Sequence, residues 1–126
     1  MLVVLKRGLE GGKMVRYNTK YIATKRNAQI LADKSEVFGQ DQSSTEAKLK
    51  HGSFNFFTIT NFSTSAVRIK LDGQDDRNYP LAASAAVNMN ADDGIFFDMI
   101  EVLELDSANI AADLITVTFG KMLEVD

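Results

Sequence analysis

The 126-residue chain has no cysteine and no tryptophan, a single proline and a single histidine. Without cysteine there is no disulfide, no thiolate metal site and no cysteine nucleophile, a usage that fits synthesis in a reducing cytoplasm. The lone histidine, His51, lies in Lys48-Leu49-Lys50-His51-Gly52. The flanking lysines do not organise it as a base, so a surface histidine is expected there rather than part of a hydrolytic triad. No apolar run approaches the roughly 20 residues needed to span a bilayer. Met1-Leu2-Val3-Val4-Leu5-Lys6-Arg7 places its charges after the apolar residues, the reverse of a signal peptide. Gly-x-Ser-x-Gly is absent, and Gly8 to Gly12 lacks the Lys-Ser/Thr ending of a phosphate-cradling loop.

Hydrophobic residues make up 45% of the chain and charged residues 25%, the profile of one folded globular unit. A domain near this size hides roughly two thirds of its unfolded surface. The net charge of −3 conceals an asymmetry. Residues 1–34 carry eight basic side chains against Glu10 and Asp33, a net +6, and the remainder carries a net −9. A positive end and a negative body attract each other between copies.

The two halves of the chain differ in texture. In residues 1–53, Leu2–Lys6 and Met14–Tyr17 are strand candidates separated by the glycine-rich Gly8 to Gly12. Lys25–Lys34 lacks clean alternation, leaving a short helix or an irregular arm open. Glu36–Ser53 is polar, with Gly39, Gly52 and three serines, and is expected to be a long loop or linker. Residues 54–126 are expected to form the core. Val67, Ile69 and Leu71 alternate with Arg68 and Lys70 ahead of the turn pair Asp72-Gly73. Ile115, Val117 and Phe119 alternate with Thr116 and Thr118, and Gly120 closes the run. Phe57 and Ile59 share one face of Phe54–Phe62. Ile95–Leu105 changes phase, with Ile100 and Val102 on one parity and Leu103 and Leu105 on the other, which predicts a bulge or bend near Val102. Pro80 belongs at a strand start or on an edge strand, where no ladder bond needs its missing N–H. The fold expected is all-β, an antiparallel β-sandwich or jelly-roll-like barrel with an extended N-terminal arm.

Chemistry has few footholds. Asp72, Asp75 and Asp76 share one turn and Asp92 and Asp93 another, but neither matches calcium-loop spacing, so solvated turn carboxylates are expected. Asp98, Glu101 and Glu104 read as exposed-face acids. No catalytic residue, metal or cofactor is assigned.

Several segments in order resemble small virion structural proteins of bacteriophages. They are Ile59-Thr60-Asn61, Val67-Arg68-Ile69-Lys70-Leu71-Asp72-Gly73, Tyr79-Pro80-Leu81, Asp93-Gly94-Ile95 and Ile115-Thr116-Val117-Thr118-Phe119-Gly120. The resemblance covers about half the chain, from about Phe57 to Lys121, and implies a capsid, cement (decoration) or spike-type β-sandwich packed into a symmetric shell. It implies a virion protein made in the host cytoplasm, a homo-oligomer whose partners are its own copies and a major capsid or other virion protein. Nucleic acid is a poor partner for the acidic body, although Tyr17 and Tyr21 among the basic residues could stack on bases. Adjacent aromatics reinforce the assembly reading, because Phe56–Phe57 and Phe96–Phe97 cannot each turn both rings into one core. The interface candidates are Arg16, Tyr17, Lys25, Arg26, Phe56 and Phe96. The rival reading is a carbohydrate- or receptor-binding β-sandwich module of a spike or cell surface, with Tyr79 as its stacking side chain.

Overall fold

In the computed structural model the chain is described over residues 2–4, 15–26 and 29–125, and side chains over 29–124. It is mostly β, with two antiparallel sheets and little helix, an arrangement consistent with an all-β sandwich. One sheet has the order β1 (Leu2–Val4), β2 (Val15–Arg26), β9 (Ile115–Val125), β4 (Phe56–Asn61), β7 (Ala86–Met89). The other has the order β3 (Ser35–Phe38), β8 (Ile100–Glu104), β5 (Val67–Leu71), β6 (Asn78–Leu81). The short helix α1 (Gln42–His51) joins β3 to β4.

Period-2 patterning positions the core. Strands β4, β5 and β8 alternate between buried and half-buried residues, and Phe57, Ile59, Val67, Ile69, Leu71, Ile100, Val102, Val117 and Phe119 are fully enclosed. Every second side chain of a strand meets the opposite sheet, so one face of each strand is apolar and the other tolerates Thr, Arg and Lys. Ile30, Phe38 and Phe54 pack into the same cluster. Pro80 lies on β6, an edge strand, opposite Arg68. Asp72 and Gly73 take φ of 56° and 66°, the left-handed pair that the tight turn after β5 requires. At Phe56–Phe57 and Phe96–Phe97 the second ring of each pair is buried and the first is not.

Five expectations are corrected. Glu36–Ser53 is not a linker but contains most of β3 and all of α1. The helix has few apolar residues, so no stripe marks it, yet Asp41 stands at its N-cap and Lys48, Lys50 and His51 fill its last turn. Of the two readings left open for Lys25–Lys34, the helix is absent among the described residues: Lys25 and Arg26 end β2, and Ile30 makes an isolated bridge to Ile110. The run Ile95–Leu105 is strand only over Ile100–Glu104, apart from a bridge between Phe97 and Phe54. No bulge interrupts it, because Glu104 continues the inward series of Ile100 and Val102. Gly120 does not end β9, which runs on to Val125 and pairs Gly120 with Phe56 on one side and Ile22 on the other. Finally, Glu104 is not an exposed acid but is 1% exposed. The strands at Leu2–Lys6 and Met14–Tyr17 correspond to β1 and the start of β2, which pair antiparallel, whereas the turn at Gly8 to Gly12 lies outside the described residues.

Candidate functional site

The segment between the 3-10 turn at Ala91–Asp93 and β8 carries the most organised exposed feature. Phe97 is buried, with its ring centroid 5.7 Å from both Phe54 and Phe57 and nearly perpendicular to Phe57. Extended backbone about the Phe97–Phe54 bridge, with Ile95 and Phe97 inward, turns Phe96 outward, where it is 58% exposed. The backbone around it is clamped from several directions. Phe97 and Phe54 exchange both main-chain hydrogen bonds at 3.0 Å. Asp72 Oδ1 accepts from the backbone N–H of Asp98 at 2.7 Å and of Met99 at 3.1 Å. Asp72 Oδ2 accepts from Arg77 at 3.1 Å, and the same guanidinium donates to the carbonyl of Phe96. Lys48 Nζ donates to the carbonyl of Asp98 at 2.7 Å, and Ser53 Oγ to its carboxylate at 2.7 Å. The Phe96 ring thus stands on a fixed base, the condition under which an exposed aromatic loses little freedom when it is covered.

Lys121 Nζ lies 5.3 Å from the centroid of that ring, a cation–π contact. Beside it opens a notch of about 240 Å³ lined by Asn55, Ala91, Phe96 and the β9 residues Lys121 to Glu124. The notch exists because β4 stops pairing with β9 at Phe56–Gly120 while β9 continues against β2 alone. Asn55 fills the missing rung with its side-chain amide, donating to the Met122 carbonyl at 2.8 Å and accepting from the Met122 N–H at 2.8 Å. Asn55 is thereby committed to the strand. The remaining lining residues are Ala91, Phe96 and Lys121 to Glu124, among which the Phe96 ring and the Lys121 ammonium meet.

The other singled-out residues lie elsewhere. Phe56 is half-buried on the outward side of β4 and does not line the notch. Arg16, Tyr17, Lys25 and Arg26 belong to β2 by backbone pairing, and their side chains, like that of Tyr21, fall outside the described residues. Tyr79 is half-buried with its ring 6.4 Å from that of Phe57, so it packs on the core rather than standing open as a platform. His51 sits half-buried in the last turn of α1, away from the notch lining.

Three of the turn carboxylates are engaged within the fold. Asp72 works as described above, Asp75 pairs with Lys70 at 2.8 Å, and Asp93 accepts from the N–H of Asn90 at 2.7 Å. The Lys70 hydrogen bond and charge hold Asp75 below its ordinary value, and Asp75 in turn raises Lys70. Sequence reasoning missed Glu104. Its Oε1 accepts from the N–H of Asp33 at 2.9 Å and its Oε2 from that of Asp106 at 2.6 Å. Burial pushes this carboxyl up, but backbone donors at Asp33, Asp106, Ala108 and Ser107 outweigh it and bring it below its ordinary value. The acidic turn at 106–109 after a strand was the available signal, since a run of backbone N–H groups is what an inward carboxylate needs.

No helix among the described residues is long and apolar enough to cross a membrane. Comparison with known proteins gave no matching family model, no matching curated protein and no matching solved structure.

Proposed function

We propose that this chain is a non-catalytic structural module that works by assembling with other protein chains, in the manner of a virion cement (decoration) protein or minor capsid subunit. In this reading the two sheets form a jelly-roll-like sandwich, and basic residues among 1–34 meet acidic neighbours. The observation that carries the reading is Phe96: a large aromatic ring, 58% exposed, on a backbone clamped by Asp72, Arg77 and Phe54. Exposed aromatics on rigid supports are the anchors around which protein interfaces concentrate their binding energy. Phe62 and Leu49, 64% and 85% exposed, add apolar surface for lateral contacts. The mechanism is adhesion, in which interface area is gained without bond chemistry. Sedimentation of the purified protein and of Phe96→Ser tests it. The expected result is a symmetric oligomer that Phe96→Ser weakens, and a monomer in both at every concentration would remove the reading.

A further inference from the structure

The sheets end in edge strands, and the three whose side chains are described, β3, β6 and β7, are not equivalent. β3 carries Glu36 and follows Lys34, and β6 carries Pro80 and follows Arg77. Charges and prolines are the devices by which proteins keep sheet edges from pairing with other chains. β7 has neither. From Leu81 through Ala91 there is no charged residue and no proline, and its register with β4 runs without a bulge from Thr60–Ala86 to Phe57–Met89.

Antiparallel alternation fixes which main-chain groups of β7 are free. The N–H of Asn61 donates to the carbonyl of Ala85 at 2.8 Å, so Ala85, Val87 and Met89 turn their main-chain groups toward β4. Ala86 and Asn88 therefore turn theirs to the open side, and both residues are exposed. Asn90, next in the series, is used within the chain: its N–H donates to Asp93 Oδ2 at 2.7 Å and its carbonyl accepts from the Asp93 N–H at 2.9 Å. Among the described residues the open edge is thus Ala86 and Asn88, symmetric about Val87.

We infer that a second copy of this chain docks on this edge, its β7 pairing antiparallel with β7 about a twofold axis at Val87. Ala86 of each copy then exchanges both main-chain hydrogen bonds with Asn88 of the other. A copy is the fitting occupant because a twofold axis at Val87 sets this edge against itself, Ala86 opposite Asn88 and Asn88 opposite Ala86. A charged edge would meet its own sign, whereas the neutral edge from Leu81 to Ala91 meets no repulsion. Asn88 is also prepared for it: its side chain holds Thr58 Oγ1 at 3.0 Å, which keeps the amide over its own sheet and off the edge. The result is one ten-stranded sheet built from two five-stranded ones. Its outer face would continue the threonines Thr58, Thr60, Thr116 and Thr118 from copy to copy.

The inference rests on the assembly reading above and identifies one of its contacts. The test compares the association of wild type, Ala86→Pro and Ala86→Lys by sedimentation across concentration, with backbone amide exchange of Ala86 and Asn88 in wild type at high and low concentration. Proline at 86 removes an N–H that has no partner among the described residues, so circular dichroism of the variant should match wild type. The expected result is at least a tenfold rise in the dissociation constant for both variants and concentration-dependent protection of the two amides. Adding Asn88→Asp to Ala86→Lys should restore association by setting opposite charges across the axis. An oligomer that survives Ala86→Pro with both amides unprotected overturns the edge pairing and leaves the assembly reading standing. A wild-type monomer at every concentration overturns both. If Ala86→Pro fails to fold, the amide exchange of wild type decides alone.

Discussion

Phe96 and Phe97 are adjacent in sequence and opposite in fate, so truncating each in turn measures the sheet geometry directly. Phe97→Ala removes a ring that is 1% exposed and lies against Phe54 and Phe57 at 5.7 Å. Loss of transfer energy plus the cavity left behind costs about 3–5 kcal/mol for a buried phenylalanine, and one tilted and one edge-to-face ring pair place this site at about 4 kcal/mol. Against a total stability of about 5–15 kcal/mol this is a large fraction. With a urea m-value of about 2 kcal/mol/M the midpoint falls by about 2 M at unchanged slope, and the thermal midpoint by about 12–20 °C. Phe96→Ala loses only a half-open ring and its exposed contact with Lys121, about 0.5–1 kcal/mol. Urea unfolding followed by tryptophan-free probes, circular dichroism or tyrosine fluorescence, reads both variants. Equal losses in the two, or a loss under about 1 kcal/mol at Phe97, would refute the assignment of these rings to opposite sides.

Other outcomes follow from the same geometry. Because the folded Glu104 carboxyl titrates below its ordinary 4.5, its contribution is complete above that value and fades as pH falls through the lower folded value. Glu104→Gln should therefore be less stable than wild type at neutral pH, and the two should converge in acid; urea midpoints from pH 7 down to about 2 check this, and parallel curves would contradict it. Asn61, 0% exposed, donates to the carbonyls of Ser65 at 2.8 Å and Ala82 at 3.2 Å and accepts from Ser63. Asn61→Ala strands those groups and should cost about 1–3 kcal/mol by urea unfolding, more than Thr60→Ala on the outer face. Gly39 has φ of 99° and an added Cβ would lie 3.0 Å from the carbonyl oxygen of Asp98, so Gly39→Ala should cost more than about 1 kcal/mol. Gly94→Ala, with no atom within 4 Å of the new Cβ, should cost less, and thermal midpoints of the pair decide.

The strands that the sequence made legible are those whose inward residues are all apolar. Val67-Ile69-Leu71 and Ile115-Val117-Phe119 announce their faces because water is excluded from one side only. β8 broke that rule by one residue. A carboxylate at its third inward position made Leu103 and Leu105 look like the continuation, and periodicity could not show that N–H donors of the following turn, at Asp106, Ser107 and Ala108, and of the distant Asp33 would surround Glu104. α1 was hidden for the opposite reason, having almost nothing apolar to count, although Asp41 before it and Gly52 after it are ordinary helix limits. Gly120 suggested a stop because glycine weakens strands, but its place opposite both Phe56 and Ile22 is held by neighbours on each side. Of the site, the outward turn of Phe96 was legible from the doublet. The clamp beneath it was not, since Asp72, Arg77 and Phe54 reach it across long stretches of chain.

The place of β9 between β2 and β4 sets the timetable of folding during synthesis. Ribosomes add roughly 5–20 residues per second, so β2 is complete several seconds before the strand that must lie beside it emerges. Until Ile115–Val125 leaves the exit tunnel, the larger sheet has no middle, and the edges of β2 and β4 stand bare to other nascent chains. A product cut short before Ile115 would keep that exposure permanently and should collect in inclusion bodies rather than fold as a smaller version of the whole.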